Sequence, residues 1–292
     1  MSADPRPSTW RSLMFVPATA ERFVAKAHTR GADVIILDLE DSIPPAGKDA
    51  ARAALAGAVA TVGQAGAEVC VRINRPLELA VPDIAAAIMP AVGALMLPKV
   101  MGPEHVKLLS EVVAAREAAV GVPVGRTRFI GIVETPQALP QLYAIAGADP
   151  RMAALGIGSE DFSTEIEAVP GADSLYVYSM MAVAAARSAG IQPLGSVGRF
   201  ADFSDLDGYR AGLKRSRGLG FTCTACIHPA HVPIINEEYG VAPADADRAR
   251  RLIAAFDDGV AKGLGAVAFE GAMIDLPVVE RARRLLARVR PS

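Results

Sequence analysis

Eight times between residues 12 and 238 a short apolar run is followed, after a few residues, by a helix-like segment. Nothing else in the chain restricts its fold as strongly. The strand-like runs are 12–18, 34–39, 69–73, 94–97, 128–133, 153–157, 191–197 and 222–227. They are rich in Val, Ile and Leu and break at polar, Gly or Pro residues, as strands do. The segments 19–30, 48–62, 82–89, 103–119, 136–145, 173–188, 205–217 and 232–238 read as helices. Pro103 in a first turn, and Gly31 and Gly218 just past helix ends, are ordinary helix punctuation. Strands alternating with helices at this spacing predict a parallel sheet covered by helices. Eight such units in ~230 residues predict an α/β fold, a closed (β/α)8 TIM barrel. An open doubly wound sheet is the alternative, but no G-x-G-x-x-G follows the first strand and there is no Walker A motif. The apolar fraction is 51% with only 5% aromatic, so the core must be built from Ala, Val, Leu and Ile, which suits buried parallel strands.

Residues 1–240 are read as the barrel and 241–292 as a C-terminal helical extension. Helices are expected over 244–261 and 275–289, with an apolar stretch at 263–269 able to extend as a strand. The second helix carries Arg281, Arg283, Arg284 and Arg288, a face more often solvated than bound to phosphate. A barrel does not need this extension, which can fold over its own barrel mouth or a neighbour's.

Net charge is −2 and no basic run stands out, so nucleic acid binding is not favoured. No apolar run reaches the ~18 residues of a spanning helix. The start, Met1 to Pro5, lacks the cationic and apolar regions of a signal peptide. A soluble cytoplasmic protein is expected. Three cysteines make no disulfide framework, and the CxxC of Cys223 and Cys226 stands alone among strand residues, so reduced core thiols are expected. His28 and His105 fall in helices and read as surface residues; His228 and His231 straddle Pro229, and His228 reads as structural.

Active groups of such barrels sit at the C-terminal ends of strands. Those ends offer Asp38, Glu40 and Asp41, then Arg72 and Asn74, then Lys99, Glu134, Asp161 and His228. Singly, Glu134 and Asp161 read as caps of the following helices. As a pair 27 residues apart at neighbouring strand ends, they are what a hard cation such as Mg²⁺ needs. A structural ring of ion pairs would explain one or two of these residues, but not contributions from most of the strands. The set suits enolate chemistry. A metal on Glu134 and Asp161 chelates a 2-oxo acid, Arg72 stabilises the developing oxyanion, and a carboxylate or water moves the proton.

The ordered motifs Arg11 to Pro17 (RSLMFVP), Leu37 to Ser42 (LDLEDS), Val71 to Asn74 (VRIN), Leu97 to Lys99 (LPK), Glu134-Thr135, Ser159 to Phe162 (SEDF), Ile227 to Pro229 (IHP) and Gly271 to Pro277 (GAMIDLP) span nearly the whole chain. In this order they resemble the citrate lyase β-subunit-like (HpcH/HpaI aldolase) superfamily, similar to malyl-CoA and citramalyl-CoA lyases. The resemblance implies a TIM barrel with Mg²⁺ on Glu134 and Asp161. Arg72 and Lys99 would bind substrate, with Arg72 on its oxo-acid part, and Arg22 and Lys26 would be phosphate contacts. The chemistry implied is carbon–carbon cleavage or condensation of malyl-, citramalyl- or citryl-type thioesters, giving a 2-oxo acid and an acetyl thioester. Catalytic candidates are Arg72, Asp38, Glu40, Asp41 and Asp275. Asp275 would act as acid/base in a neighbouring subunit of a homotrimer or hexamer.

The chain departs from that pattern in several places. Cys223-Thr224 stands where Gly-Lys is usual, Ala18 where Gly follows the first strand, and Ala272 where a basic residue is common. The segment from Leu194 to Gly198 lacks an acid. These changes bear on the thioester end and on its carrier, coenzyme A or a carrier protein. The alternatives to a lyase are a thioester hydrolase on the same substrates, a pyruvate-type class II aldolase, and a retired barrel acting as a binding subunit.

Overall fold

The computed structural model describes residues 9–197 and 205–289. The signal-peptide reading of Met1 to Pro5 and the position of Gly198 lie outside the described residues. The chain divides into two compact units, Met1–Asn236 and Glu237–Ser292.

The first unit holds eight parallel strands: β1 (Ser12–Pro17), β2 (Val34–Asp38), β3 (Glu68–Arg72), β4 (Val92–Leu97), β5 (Arg128–Val133), β6 (Met152–Ile157), β7 (Gln192–Leu194) and β8 (Thr224–Cys226). Helices follow in turn: α1 (Glu21–Ala27), α2 (Lys48–Val62), α3 (Leu77–Ala87), α4 (Pro103–Ala119), α5 (Leu142–Ala146), α6 (Ser159–Glu165), α7 (Ala172–Ser188), α8 (Leu206–Gly218) and α9 (His231–Glu238). The sheet runs in chain order from β7 back to β1, and β8 pairs with β1. The remaining seam is closed by a parallel bridge between Leu194 and Cys223 and by the Gly195 amide donating to the Cys223 carbonyl at 2.9 Å. Below that bridge the Gln192 amide is bonded to both backbone groups of Trp10 and to Thr222. The result is a (β/α)8 TIM barrel.

Alternation along the strands fills the interior with Leu13, Val34, Ile36, Cys70, Ala94, Met96, Ile130, Ile132, Ala154, Leu194 and Cys223. The helices cover the outer strand faces with small and aliphatic residues such as Ala51, Leu55 and Val59 of α2.

The structure adds two features to the sequence expectation. The segment 136–145 is a 3-10 turn over Pro136–Gln141 followed by the short α5, because Pro140 cannot donate inside a longer α-helix. A separate helix, α6, precedes α7; its sequence SEDFSTE has too few apolar positions to show a helical stripe. Among the described residues, no helix is long and apolar enough to cross a membrane.

The second unit contains α10 (Pro243–Ala261), the antiparallel hairpin β9 (Val267–Phe269) and β10 (Ala272–Ile274), and α11 (Leu276–Leu286). It packs Leu252, Phe256, Ile274, Val279 and Ala282 into a small core of its own. The hairpin turns at Glu270 and Gly271, both with positive φ (47° and 80°), and Glu270 accepts ion pairs from Arg248 and Arg251 of α10. The extension is thus helical with a hairpin between its helices.

Candidate active site

The interior parity that places Val34 and Ile36 inside the barrel also sends Asp38 inward at the top of β2. Cys70 does the same for Arg72 on β3, and Ile130 and Ile132 for Glu134 just past β5. Parallel register sets Asp38 directly beside Arg72. The Asp38 carboxylate accepts Arg72 Nε at 2.7 Å and Nη2 at 2.8 Å, a bidentate clamp. It also accepts the amides of Glu40 (2.9 Å) and Ser42 (3.2 Å). Burial works most strongly against its charge, yet the bonds and charge of Arg72, with the Ser42 and Glu40 bonds, together hold Asp38 below the usual carboxylate range. With four donors on two oxygens, Asp38 acts as an anchor for Arg72 and for the loop after β2. That geometry leaves it little freedom to carry a proton.

Arg72 stacks over Phe15, 4.8 Å from the ring centroid. Its third nitrogen, Nη1, points to Glu40 Oε2 at 2.9 Å and Asp41 Oδ2 at 3.6 Å. Burial opposes the guanidinium charge, but the bonding and charge of Asp38, with the charges of Glu40 and Asp41, together more than offset it.

Lys99 is out of phase with Ala94 and Met96, and its backbone turns left-handed there (φ 48°). In that conformation Nζ sits 2.9 Å from both Glu40 Oε1 and Asp161 Oδ2 and 3.6 Å from Asp41 Oδ1. Its own amide donates to Glu134 Oε2 at 2.8 Å. Glu134 lies against Gly158, where an added Cβ would come within 2.3 Å of Oε1, so only glycine admits the carboxylate in this place. Asp161 stands in the first turn of α6. The structure therefore gathers Asp38, Glu40, Asp41, Arg72, Lys99, Glu134 and Asp161 into one constellation on the mouth.

The charges there do not balance: five carboxylates face two cations. Burial, then the negative charges of Glu40 and Asp161, push Glu134 up from 4.5 to about 7. Burial raises Glu40 as well, against the attraction of Arg72. Glu40 Oε2 is buried without an aligned hydrogen-bond donor despite its closeness to Arg72. The surplus negative charge is what a further cation would relieve. Among the described residues, no three His, Cys, Asp or Glu are grouped so as to hold a metal by themselves. The donor set fits Mg²⁺, which is bound through one or two carboxylates while water and substrate complete its shell.

A cleft of about 690 Å³ opens from Arg72 and Asp38, over Phe15 and Val16, to Arg22, Lys26 and Arg30. Those three cations follow one another on a single face of α1 and the turn after it, at helical spacing. Arg30 escaped the sequence reading, although its spacing from Lys26 marks it. Ser42, Ile227 and His228 also line the cleft, so His228 borders the candidate site instead of serving only the packing. His28 and His105 are half-buried. Cys70, Cys223 and Cys226 are free and buried, and burial pushes Cys226 up to about 12, as inert core thiols require. Thr224 is buried and pairs with Ser196 at 3.3 Å. In the second unit Asp275 caps α11, its carboxylate facing the Val278 amide at 3.4 Å.

A profile of the family described as HpcH/HpaI aldolase/citrate lyase matches residues 11–229. The citrate lyase subunit beta of Leuconostoc mesenteroides subsp. cremoris is 31% identical, over 94% of this chain and 92% of its own. The L-malyl-CoA/beta-methylmalyl-CoA lyase of Cereibacter sphaeroides is 30% identical, over 93% and 92%. Among solved structures, CitE from Mycobacterium tuberculosis in complex with magnesium, acetoacetate and coenzyme A aligns with a TM-score of 0.74 at 29% identity, over 96% of this chain and 97% of that one.

Proposed function

This chain belongs to the HpcH/HpaI aldolase/citrate lyase family and is a carbon–carbon lyase; from that premise we propose that it cleaves, or forms, a 3-hydroxyacyl-CoA of the malyl, citramalyl or citryl type. The products are a 2-oxo acid and an acetyl thioester. The observation that carries this reading is the cleft, which runs from Arg72 and Asp38, at the edge of the carboxylate-rich mouth, to the three cations Arg22, Lys26 and Arg30. One end suits an oxo acid. The other suits the phosphates of a coenzyme A carrier, with Phe15, Phe23 and Ile227 between them for its apolar parts.

Glu134 and Asp161 are the carboxylates that would hold Mg²⁺, which when bound supplies Lewis-acid polarisation of the substrate's oxo-acid oxygens. Arg72, held by Asp38 along one edge, keeps Nη1 beside Glu40, which would share that nitrogen with an oxygen of the same part of the substrate. A donor fixed before reaction stabilises developing negative charge without reorganising. In cleavage the 3-hydroxyl loses its proton, the bond between C2 and C3 breaks, and its electron pair passes to the thioester enolate. A proton returned to that carbon completes the acetyl thioester. With Glu134 assigned to the metal, Glu40 is the mouth carboxylate placed to hold a proton: burial raises it, and Lys99 donates to its Oε1 at 2.9 Å. Lys99 serves the substrate carboxylate.

The second unit, in this proposal, serves a neighbouring subunit of a homotrimer or hexamer, where Asp275 acts as acid/base. Met273 and Leu276, beside it, are 74% and 54% exposed, an apolar edge suited to burial against another copy. Inactive Asp275→Asn and inactive Arg72→Ala chains, mixed, should then regain part of the activity; no recovery removes the shared site.

The deciding experiment incubates the chain with malyl-, citramalyl- and citryl-CoA, with Mg²⁺ and with EDTA, and separates acetyl-CoA from free CoA. Acetyl-CoA plus the matching 2-oxo acid, only with Mg²⁺, is the expected result. Free CoA with intact hydroxy acid would make the chain a thioester hydrolase instead. No turnover of any thioester would overturn the proposal.

A further inference from the structure

The loop after β2 carries Glu40 and Asp41 and forms one wall of the cleft through Ser42. It has no regular secondary structure, yet Glu40 is buried in it. A loop that sets a carboxylate against Arg72 and Lys99 needs something to fix its backbone, because ordering each residue costs conformational entropy. Asp38 restrains it from inside the barrel by accepting the Glu40 and Ser42 amides. From outside, two side chains that line no part of the cleft secure its carbonyls.

Lys48, the first residue of α2, donates Nζ to the Leu39 carbonyl at 2.8 Å and to the Glu40 carbonyl at 2.7 Å. Asn74, two residues beyond Arg72, donates Nδ2 to the same Leu39 carbonyl at 2.9 Å. Asn74 is itself held by Asp83 of α3, which is fully buried. Asp83 Oδ2 accepts the Asn74 amide at 2.8 Å and Nδ2 at 2.7 Å, and its Oδ1 accepts Arg52 Nε of α2 at 2.6 Å. The chain of bonds runs α2, α3, the loop after β3, and the loop after β2. Every link is charged or buried, which makes it stiff and costly to break. An aspartate at 0% exposure is expensive to keep for packing alone, since an apolar residue would fill the space without desolvating a charge.

We propose that Lys48 and Asp83 are positioning residues for the lyase reaction: a buried brace that holds the 39–43 loop so that Glu40 meets Arg72 and Lys99. The proposal rests on the reading of Glu40 as a proton-handling carboxylate of the site. Neither residue lines the cleft; Lys48 acts through the loop and also through its charge, which is felt by Asp38, Glu40 and Asp41, and Lys48→Arg keeps that charge.

The test uses the full chain and the variants Lys48→Met, Lys48→Arg and Asp83→Asn. Lys48 is half-exposed at a helix start, so its substitution leaves the fold intact even if Asp83→Asn does not fold. Hydrogen–deuterium exchange of residues 39–43, read by mass spectrometry, reports on the loop without reference to activity. Leu39, Glu40, Ser42 and Ile43 all have hydrogen-bonded amides in the structure. In Lys48→Met these amides should exchange ~10-fold faster while other barrel peptides stay unchanged. On whichever of malyl-, citramalyl- and citryl-CoA is turned over, kcat should fall ~10-fold or more with KM within twofold, because small misplacements of reacting groups cost that much. Lys48→Arg should recover most of both losses. Unchanged exchange in the loop, or faster exchange with an unchanged kcat, overturns the proposal. If the unmodified chain turns over none of the three thioesters, the lyase reading fails by itself, and the exchange data still decide whether the brace holds the loop.

Discussion

The two ends of the barrel use the same residue types in opposite ways. At the N-terminal end three cations each have their own carboxylate: Arg11 with Asp33, Arg128 with Glu68, and Arg151 with Glu117. At the C-terminal end Arg72 and Lys99 are shared among Asp38, Glu40, Asp41 and Asp161, while among the described residues Glu134 receives only the Lys99 amide as a donor. Matched pairs lower the energy of the folded chain and do nothing further. Surplus carboxylate raises that energy and creates an appetite for cations and protons. The contrast separates the residues that hold the barrel from those that do its chemistry, with no appeal to the fold.

The sharpest break of this comparison is at the surplus end. Glu134→Gln or Asp161→Asn should remove Mg²⁺-dependent turnover of the active thioester by ~10³-fold or more, with an unchanged far-ultraviolet spectrum. Arg72→Ala should cost ~10²-fold in rate, the scale of one lost oxyanion partner. Full activity in either carboxylate variant would sink the metal assignment.

At the matched end the effect moves from rate to stability. Arg151 donates two bonds to Glu117 and one to the Thr127 carbonyl, and Glu117 also accepts the amides of Gly125 and Thr127. Glu117→Ala strands a buried guanidinium and two amides at once. Breaking such a buried pair costs about 3–5 kcal/mol. Urea unfolding should show that loss, while turnover per folded molecule stays within twofold. A lost activity with full stability would mean that the floor of the barrel is not merely structural.

The two ends should also answer pH with opposite signs. Burial opposes the charge of Glu117, but the bonds from Arg151 and two amides win and lower it. Its contribution is present above 4.5, the unfolded value, and fades as pH falls through the folded one. Glu134 is raised from 4.5 to about 7, so its contribution is present below 4.5 and is lost as pH rises through about 7. In metal-free buffer, Glu134→Gln should therefore match the parent at pH 4 and melt higher at pH 8, by ~4 °C or more. Thermal scans at the two pH values check the sign; a lower melting point at pH 8 would reverse the account of the mouth.

Much of this division is legible in the sequence. The spans of α2, α4 and β5 follow directly from apolar spacing and from Pro103. Strand parity alone puts Asp38, Arg72 and Glu134 on the inner face at one end. Parity cannot foresee Lys99, whose reach to Asp161 depends on a left-handed backbone that no local residue pattern announces. It cannot foresee Lys48 and Asp83 either, because a helix-start lysine and an aspartate after a proline look like surface residues in any sequence. Their contacts, and the burial of Asp83, are decided by how α2 and α3 pack on the barrel. The hairpin turn at Glu270 and Gly271 is likewise hidden, since strands of three residues are too short to show alternation.

Within the matched end, burial should grade the pairs, and the smallest effect makes the finest test. Arg128 and Glu68 are 32% and 25% exposed at the side chain, against 5% and 0% for Arg151 and Glu117. Arg128 lies 4.4 Å from the centroid of Trp10, whose Nε1 donates to Glu68 at 2.9 Å. Arg128→Met gives up a solvent-screened ion pair and a cation–π contact but leaves Glu68 bonded to Trp10 and reachable by water. The cost should be ~1 kcal/mol or less. Trp10, the single tryptophan, is 4% exposed and reports on its own surroundings. Its emission should keep the wavelength of a buried indole in Arg128→Met. A loss as large as that of Glu117→Ala would mean that charge matching, and not burial, sets the worth of the pairs on the barrel floor.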